Sequence, residues 1–368
     1  MKIALVRKNY THYGGAENYL KLVADGLASR GHEVRIFSSG DWPGKYSVTK
    51  ISPFRKPSFL SNVLFAAESK RELQKDPADC ILSFERTYFQ DIYRAGDGCH
   101  REWLIKRGRL ESVLKRISFS LNPHHRLLLF LENKCFMNSG KIIANSMMVK
   151  KDIMKHYRVD DGKIEIVYNG TDLERFRPVG TEEKAAIKER LNIKEEKVVL
   201  FAGADFKRKG LPVLLRAFSL IKRDGVRLIA AGKRPKAEFI SMAKKFGIEK
   251  EVTFWGPEKK IEQLYAVSDL FVLPTIYDPF SNATLEAMAS GIAVITTAFN
   301  GASEIIEDNV HGHVLKDPMD HETLARNISN ALERSEMMGK EARIKAEEYP
   351  IGNSIEKIMN MISEYGAG

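Results

Sequence analysis

The first half of the chain alternates short apolar runs with segments of helical spacing. Lys2–Val6, Val34–Phe37 and Cys80–Ser83 are apolar runs of strand length, and an amphipathic helix is predicted up to Ser29. Parallel strands buried on both faces form continuous apolar runs, and crossover helices carry one apolar stripe. The pattern predicts an α/β doubly wound sheet. Further predicted elements here are strands Asp91–Arg94 and Lys141–Asn145 and helices Asn62–Lys75 and Ser146–His156.

The second half repeats this architecture. Its predicted strands are Val198–Ala202, Arg227–Ala231, Val252–Trp255, Leu270–Leu273 and Ala293–Thr296, with helices such as Leu211–Lys222 between them. The segment from Tyr168 to Pro178 carries an Asn-Gly turn and a closing proline, which favour a linker. Since 368 residues exceed the size of one hydrophobic core, two domains are expected, residues 1–168 and 169–349.

Composition and cysteine content favour an ordinary globular chain. Hydrophobic residues make up 43% and charged residues 29%, and no uncharged apolar run is long enough to span a bilayer. The apolar run near Lys2 is too short for a secretory signal. Cys80, Cys99 and Cys135 lack metal-ligand spacing, so we expect reduced thiols in a cytoplasm, with no disulfide and no structural zinc.

Half of the net charge of +10 lies in one short stretch. The segment from Arg101 to Arg126 contains seven basic and two acidic residues, a surplus of five positive charges. Within residues 101–130, apolar side chains recur at helical spacing and bases occupy another face, as on a helix that lies on an anionic membrane. The helical positions are Leu110, Val113, Leu114 and Ile117, with Lys115 and Arg116 among the bases. A core helix with a solvated basic rim is the alternative, and no nucleic-acid fold signature supports a nucleic-acid surface.

Two carboxylates eight positions apart give the strongest functional pattern. Asp278 and Glu286 flank the small residues Ser281–Thr284, which are predicted to open a helix. Backbone N–H groups and the helix dipole favour an anion such as a diphosphate at a helix start. The segment predicts a nucleotide-sugar site. The plainer interpretation is that both acids only interact favourably with the dipole at the helix start.

The segment from Asp278 to Gly291 resembles the signature of family 4 of the retaining glycosyltransferases: Glu, seven residues, Glu, then Ala-Met-Ala/Thr-x-Gly. Asp278 replaces the first glutamate and Ser281 a usual glycine. The resemblance also covers the glycine turn near the start, the Asn-Gly-x-Asp linker and Gly301-Ala-Ser-Glu304. It implies two facing Rossmann-like domains of the GT-B type with the site in an interdomain cleft, retention of anomeric configuration, and a last helix, 350–368, that crosses back to the first domain.

The basic segment after the first strand of the second half predicts a phosphate site. Arg208 and Lys209 stand where ligands bind in parallel sheets, and the sequence has no Asp-x-Asp triplet to hold a metal. We expect no metal cofactor, although a solvated loop is the alternative. Ala204 stands where the family has an arginine. The form Asp-Phe-x-Arg-Lys-Gly210 resembles the lipopolysaccharide core glucosyltransferases, which implies that Arg175 also reaches the nucleotide.

The same resemblance implies the remaining donor-site roles. Glu286 accepts hydrogen bonds from both ribose hydroxyls, and Asp278 holds hydroxyls of the transferred sugar. Asn282, Ala283 and Thr284 donate backbone N–H groups to sugar and phosphate, and Ser281 belongs to the same helix start. Gly15, in the turn after the first strand, approaches the diphosphate and the sugar. From the residues alone, the Gly14-Gly15 pair is equally compatible with a tight turn.

Asp97 is the candidate residue on the acceptor side. Glycines flank it between a predicted strand and the basic stretch, so its carboxylate is accessible. The resemblance to the lipopolysaccharide subgroup implies that this aspartate faces the acceptor and the reacting sugar, where it would orient or deprotonate the acceptor hydroxyl. A turn-capping aspartate is the alternative, and His100 is a weaker candidate.

Taken with these features, the resemblance implies a retaining, metal-independent transferase. It would move a hexose, glucose by preference, from a UDP-sugar to a glycolipid acceptor, a heptose of the lipopolysaccharide core, at the inner face of the cytoplasmic membrane. A sugar-nucleotide epimerase of the same twin-Rossmann layout and a catalytically inactive, membrane-associated homologue are the alternatives. No nucleic-acid partner is expected.

Overall fold

The protein was analysed as a computed structural model, which describes residues 1–9, 15–42, 46–51, 60–109, 111–112, 118–119 and 121–366. Its internal contacts divide the chain into two units. Unit 1 is Met1–Tyr168 together with the chain from Gly352 onward, and unit 2 is Asn169–Ile351. Each unit is a parallel α/β sheet of the Rossmann type, as the sequence predicts.

Unit 1 contains a seven-stranded sheet in the order β3-β2-β1-β4-β5-β6-β7. The strands are β1 Lys2–Val6, β2 Glu33–Ser38, β3 Ser47–Lys50, β4 Cys80–Ser83, β5 Ile92–Arg94, β6 Lys141–Ala144 and β7 Ile164–Ile166. The helices are α1 Gly15–Ser29, α2 Ser61–Lys75, α3 His100–Arg109, α4 Pro123–Asn138 and α5 Met147–Tyr157. Ser146 caps α5, as predicted, by accepting a hydrogen bond from the amide of Val149.

Unit 2 contains a six-stranded sheet in the order β10-β9-β8-β11-β12-β13. The strands are β8 Lys197–Gly203, β9 Val226–Gly232, β10 Val252–Gly256, β11 Leu270–Leu273, β12 Ala293–Thr297 and β13 Gly312–Leu315. The helices are α6 Thr181–Arg190, α7 Leu211–Phe218, α8 Ala237–Lys245, α9 Ile261–Val267, α10 Asn282–Ala289, α11 His321–Glu333 and α12 Ser335–Ala346. The central strands are buried, which explains their unbroken apolar sequence.

The last helix, α13 Ile351–Gly366, packs within unit 1. A methyl group added to Gly26 of α1 would lie 2.6 Å from the side chain of Ile355, and one added to Gly140 would lie 2.5 Å from the ring of Tyr365. Ile358 and Ile362 of α13 are fully buried. Glycine on the facing elements therefore allows α13 to pack closely against them.

One sequence prediction needs correction, and two strands were not predicted. The helix predicted over Leu211–Lys222 ends at Phe218. The amide of Ser219 still bonds to the carbonyl of Leu215, four residues back, but the amide of Leu220 bonds to that of Ala217, three residues back, which tightens the last turn. Strand β3 was not predicted because its four residues are exposed or half-buried and lack an apolar run. Strand β13 was also missed.

Candidate functional site

Lys209 and Asp278 form an ion pair at the carboxyl edge of the unit 2 sheet. Lys209 lies in the turn between β8 and α7, and Asp278 lies between β11 and α10. The lysine Nζ bonds to Oδ2 of the aspartate, and the two side chains are only 12% and 7% exposed. Burial lowers the pKa of Lys209, and attraction by Asp278 opposes that shift. Two residues predicted to bind different parts of the donor are thus each other's partner.

Arg208 is held against the same segment. Its Nη1 donates to the carbonyl of Tyr277 at 2.8 Å, and its Nε lies 3.8 Å from Oδ2 of Asp205. The neighbouring Gly210 has a φ of +86°, and a methyl group there would lie 2.0 Å from the carbonyl oxygen of Pro274. Only glycine permits this close approach of the basic turn to the segment before Asp278.

Two of the four candidate amides at the start of α10, those of residues 281–284, form hydrogen bonds within the protein. Ser281 is the N-cap, and its hydroxyl accepts from the amide of Thr284 at 3.3 Å. The amide of Ser281 donates to Asn300 at 3.0 Å. Within the described residues, no acceptor is recorded for the amides of Asn282 and Ala283, which are half-exposed. Asn282 and Ala283 are therefore the amides available to a ligand, whereas the predicted donation from Thr284 conflicts with its capping bond.

Asn300 was not predicted, yet it organises this helix start. Its side chain is fully buried. Oδ1 accepts from the amides of Ser281 and Ala302, and Nδ2 donates to the hydroxyls of Thr284 and Thr296 at 3.2 and 2.9 Å. The Asn300-Gly301 pair, shortly after the end of β12, is the sequence signal for a turn at this position.

Glu286 lies one turn inside α10, where Tyr265 holds it. The tyrosine hydroxyl donates to Oε2 of Glu286 at 3.0 Å. Burial raises the pKa of Glu286, and the hydrogen bond from Tyr265 opposes that rise. The ring of Tyr265 meets that of Phe176 edge-on, with centroids 5.7 Å apart. Tyr265 is a second residue of this region that the sequence analysis missed.

Arg175, predicted to reach the nucleotide, is paired with an acid of α9. Its Nη2 lies 2.8 Å from Oε2 of Glu262, and its guanidinium stands 5.0 Å from the ring centroid of Phe176. The side chain is 44% exposed, so this ion pair is solvent-screened and weak. Binding of a nucleotide by Arg175 remains a prediction.

Asp97 lies in unit 1, in the turn after β5, and faces arginines. Oδ2 is 3.3 Å from Nη1 of Arg7 and 3.8 Å from Nη1 of Arg86, and the side chain is 41% exposed. The partly enclosed setting pushes its pKa up, but Arg7, Arg86 and Arg94 together bring it below the usual value. Asp97 is therefore an ionised, accessible carboxylate, and a weak base at neutral pH.

The structure says less about the roles of two other candidate residues of unit 1, Gly15 and His100. Gly15 is the first residue of α1, while Gly14 lies outside the described residues. Burial lowers the pKa of His100 to about 3, so its imidazole is neutral. His100 bonds to His125 at 3.2 Å and stacks on Trp103, which favours a structural role for it.

Most of the described residues of the basic stretch belong to α3 and α4. The predicted stripe Leu110, Val113, Leu114 and Ile117, with Lys115 and Arg116, lies outside the described residues. On α4, Arg126, Phe130 and Lys134 are exposed at intervals of four residues and so share one face. None of the described helices has the length and apolarity needed to cross a membrane. Nor do the described side chains include a cluster of three or more metal-binding residues.

Two glycosyltransferase families match the chain. Residues 13–175 match the family described as Glycosyltransferase Family 4, and residues 183–348 match the family described as Glycosyl transferases group 1. Both families consist of glycosyltransferases, which favours that class over the epimerase alternative.

Individual relatives agree with these matches. The lipopolysaccharide glucosyltransferase WaaG of Escherichia coli K12 is 25% identical over 346 residues, 91% of this chain and 90% of that protein. D-inositol 3-phosphate glycosyltransferase of Rhodococcus jostii RHA1 is 31% identical over 349 residues, 83% of this chain and 75% of that protein. A crystal structure of WaaG has a TM-score of 0.87 and 24% identity, covering 98% of this chain and 99% of that chain. The chain therefore belongs to the family 4 glycosyltransferases and is a glycosyltransferase with two Rossmann-like units of the GT-B type.

Proposed function

We propose that this protein transfers a hexose, glucose by preference, from a UDP-sugar to a glycolipid acceptor, with a heptose of the lipopolysaccharide core as the acceptor sugar. The acceptor oxygen forms the new bond to C1 of the hexose as the bond from C1 to the diphosphate breaks. The departing diphosphate oxygen takes the acceptor proton on the same face, so the anomeric configuration is retained. Similarity to WaaG, named as a lipopolysaccharide glucosyltransferase, supports this choice of substrates.

The observation that carries the proposal is the buried pair of Lys209 and Asp278 beside the start of α10. A diphosphate leaving group gains negative charge as it departs, and fixed cations and amides stabilise that charge without reorganising. Lys209, Arg208 and the amides of Asn282 and Ala283 provide those groups in unit 2. Asp278 is then the acceptor for sugar hydroxyls, and Glu286 the acceptor for the ribose. We propose that these groups act without a metal ion.

On the acceptor side, we propose that Asp97 orients the acceptor hydroxyl. Its lowered pKa makes it a weak base but a permanent hydrogen-bond acceptor at neutral pH. Gly15 is assigned to the diphosphate and sugar, and Arg175 to the nucleotide, from the family resemblance.

We further propose a peripheral location on the inner face of the cytoplasmic membrane. Exposed bases of α4 alternate with exposed apolar groups: Phe130 is 49% exposed and Leu121, just before α4, is 67% exposed. Such a surface places cations at anionic headgroups and apolar groups at their boundary with the acyl chains.

The experiment is a transfer assay with labelled UDP-glucose and lipopolysaccharide truncated after the inner core, in the presence of a chelator. Labelled product that carries an α-linked glucose is the expected result, because UDP-glucose is an α-linked donor and retention is proposed. UDP-galactose, UDP-N-acetylglucosamine and GDP-mannose serve as donor controls. Absence of transfer from every donor would contradict the proposed function, and transfer only after a divalent ion is added would contradict metal independence.

A further inference from the structure

A carboxylate on α4 lies at the centre of a buried network that reaches the Asp97 turn. Glu132 is fully buried. Its Oε1 accepts from Nε of Arg86 at 3.1 Å and from the amide of His100 at 2.6 Å. Its Oε2 accepts from the amide of Arg101 at 3.2 Å and from the hydroxyl of Tyr157. A buried carboxylate is stable only when its oxygens accept hydrogen bonds, so Glu132 ties the groups that donate to it to one position.

Arg86 connects this carboxylate to the turn that carries Asp97. While Nε bonds to Glu132, Nη2 donates to the carbonyl of Gly98 at 3.1 Å, and Nη1 lies 3.8 Å from Asp97 Oδ2. The Arg86 side chain is only 10% exposed. Because the guanidinium group is planar and rigid, fixing one edge on Glu132 also fixes the edge that faces Asp97.

Glu132 holds the turn from its other end as well. The amides of His100 and Arg101 belong to the first turn of α3, where no earlier carbonyl is available within the helix, and a carboxylate favours that end of the dipole. The turn between β5 and α3 is thus held through Arg86 at Gly98 and through two amides immediately after Cys99. Gly98, the first of these attachments, is also the left-handed residue of the turn, with a φ of +68°.

We propose that Glu132 is a positioning residue for the acceptor carboxylate: through Arg86 and the α3 amides it sets where Asp97 meets the acceptor hydroxyl. This inference rests on the proposed role of Asp97. It also links the basic surface of α4 to the site, because Glu132 lies on the buried side of the helix whose exposed side carries Arg126, Phe130 and Lys134.

The test compares Glu132→Gln with Tyr157→Phe, Asp97→Asn and the double variant Glu132→Gln/Asp97→Asn. Glu132→Gln keeps the side-chain shape but replaces one acceptor oxygen by a donor. Turnover with saturating donor is expected to fall by about tenfold or more, since small misplacements of a reacting group carry large costs. The affinity for UDP should stay within twofold, because neither Glu132 nor Asp97 is among the residues assigned to the nucleotide. Tyr157→Phe removes one donor to Glu132 but leaves Arg86 and both α3 amides in place, so its loss of turnover should be clearly smaller than that of Glu132→Gln.

The double variant separates positioning from general destabilisation. If Glu132 acts through Asp97, adding Glu132→Gln to Asp97→Asn should cause little further loss of turnover. Equal fold losses in both backgrounds, or a parallel loss of UDP affinity, would overturn the proposal. Arg86→Lys, which keeps the charge but not the planar set of donors, should reproduce the loss if Glu132→Gln folds poorly.

A second measurement does not depend on transfer. Carboxyl NMR of protein with labelled aspartate reports the titration of Asp97 directly. In Arg86→Lys the midpoint should move up towards the ordinary aspartate value, because the planar set of donors that faces Asp97 is lost. In Glu132→Gln the midpoint should also change, because Arg86 loses its buried partner, and Tyr157→Phe should move it less than either variant. An unchanged titration midpoint of Asp97 in both Glu132→Gln and Arg86→Lys would overturn the positioning role of Glu132. If wild-type protein transfers no sugar but the midpoint moves as expected, the proposed function fails while the link between Glu132 and Asp97 stands.

Discussion

Lys209 and Asp278 are 69 positions apart in the sequence and form a buried ion pair at the carboxyl edge of one sheet. A nucleotide sugar that binds there must share or replace this contact. In that case Asp278 changes from partner of a lysine to acceptor of sugar hydroxyls, while Lys209 turns to the diphosphate. The pair thus keeps both charges compensated before the donor arrives.

This pair predicts a particular order of stabilities. Removing one partner of a buried pair costs about 3 kcal/mol because it leaves an uncompensated charge. Lys209→Met should therefore unfold more easily than the double variant Lys209→Met/Asp278→Asn, in which neither charge remains. Urea denaturation of the two variants measures the difference. Equal stabilities would show that the ion pair is not formed in solution.

The same lysine predicts a defect in donor binding. Lys209→Met should weaken UDP-glucose binding by about tenfold or more, because one charge-assisted contact to phosphate contributes about 2 kcal/mol. Lys207→Met, which removes an exposed cation from the same turn, is the matched control. Calorimetric titration measures both affinities, and an equal effect of the two variants would contradict the assignment to Lys209.

Tyr265 predicts a pH dependence of nucleotide binding. Its hydrogen bond opposes the burial that raises the pKa of Glu286, so Tyr265→Phe should raise that pKa further. If the ionised carboxylate binds the ribose, UDP affinity is present above the pKa of Glu286 and lost as the pH falls through it. Titrations across pH should show this loss at a higher pH in Tyr265→Phe than in wild type.

The control for that experiment is a UDP analogue without ribose hydroxyls. Its affinity should depend little on the state of Glu286 and should show no shift between the two proteins. A shift of equal size with the analogue would place the effect elsewhere than at the ribose.

Asp97 predicts a pH-dependent contribution to stability. Its folded-state pKa is lowered, so its charged contacts stabilise the protein above the ordinary aspartate value of about 4 and are lost as the pH falls through the lower, folded value. The stability difference between wild type and Asp97→Asn should be largest near neutral pH and shrink in acid. Asp41→Asn, at an aspartate whose side chain is 86% exposed, is the control for the loss of one negative charge.

The exposed face of α4 predicts binding to anionic vesicles. Arg126→Ala/Lys134→Ala should weaken binding to vesicles containing phosphatidylglycerol, by about 1 kcal/mol for each cation removed. Lys340→Ala, at an exposed lysine of unit 2, is the charge control. Sedimentation with vesicles measures the binding. Equal binding by neutral and anionic vesicles would contradict an electrostatic contribution, and the predicted bases Lys115 and Arg116 can be tested in the same way.

The sequence by itself determined the repeated α/β architecture and the segments that carry the donor-site chemistry. Short, continuous apolar runs such as Leu270–Leu273, bounded by helical segments, predict parallel strands that are buried on both faces. Ser281 and Ser146 mark helix starts for an equally local reason, since a hydroxyl beside free amides acts within a few residues. The half-exposed β3 lacked such a local signal.

The tertiary structure alone decided which of those groups meet. Asn300 satisfies the start of α10 from the end of another strand, Tyr265 reaches Glu286 from α9, and Glu132 reaches the Asp97 turn from a helix that begins 26 positions later. Such pairings depend on the order of strands in the sheet, which no local pattern encodes. These tertiary pairings also affect ionisation. Burial and the nearness of other charges and donors determine whether the pKa values of Lys209, Glu286 and Asp97 lie above or below their ordinary values.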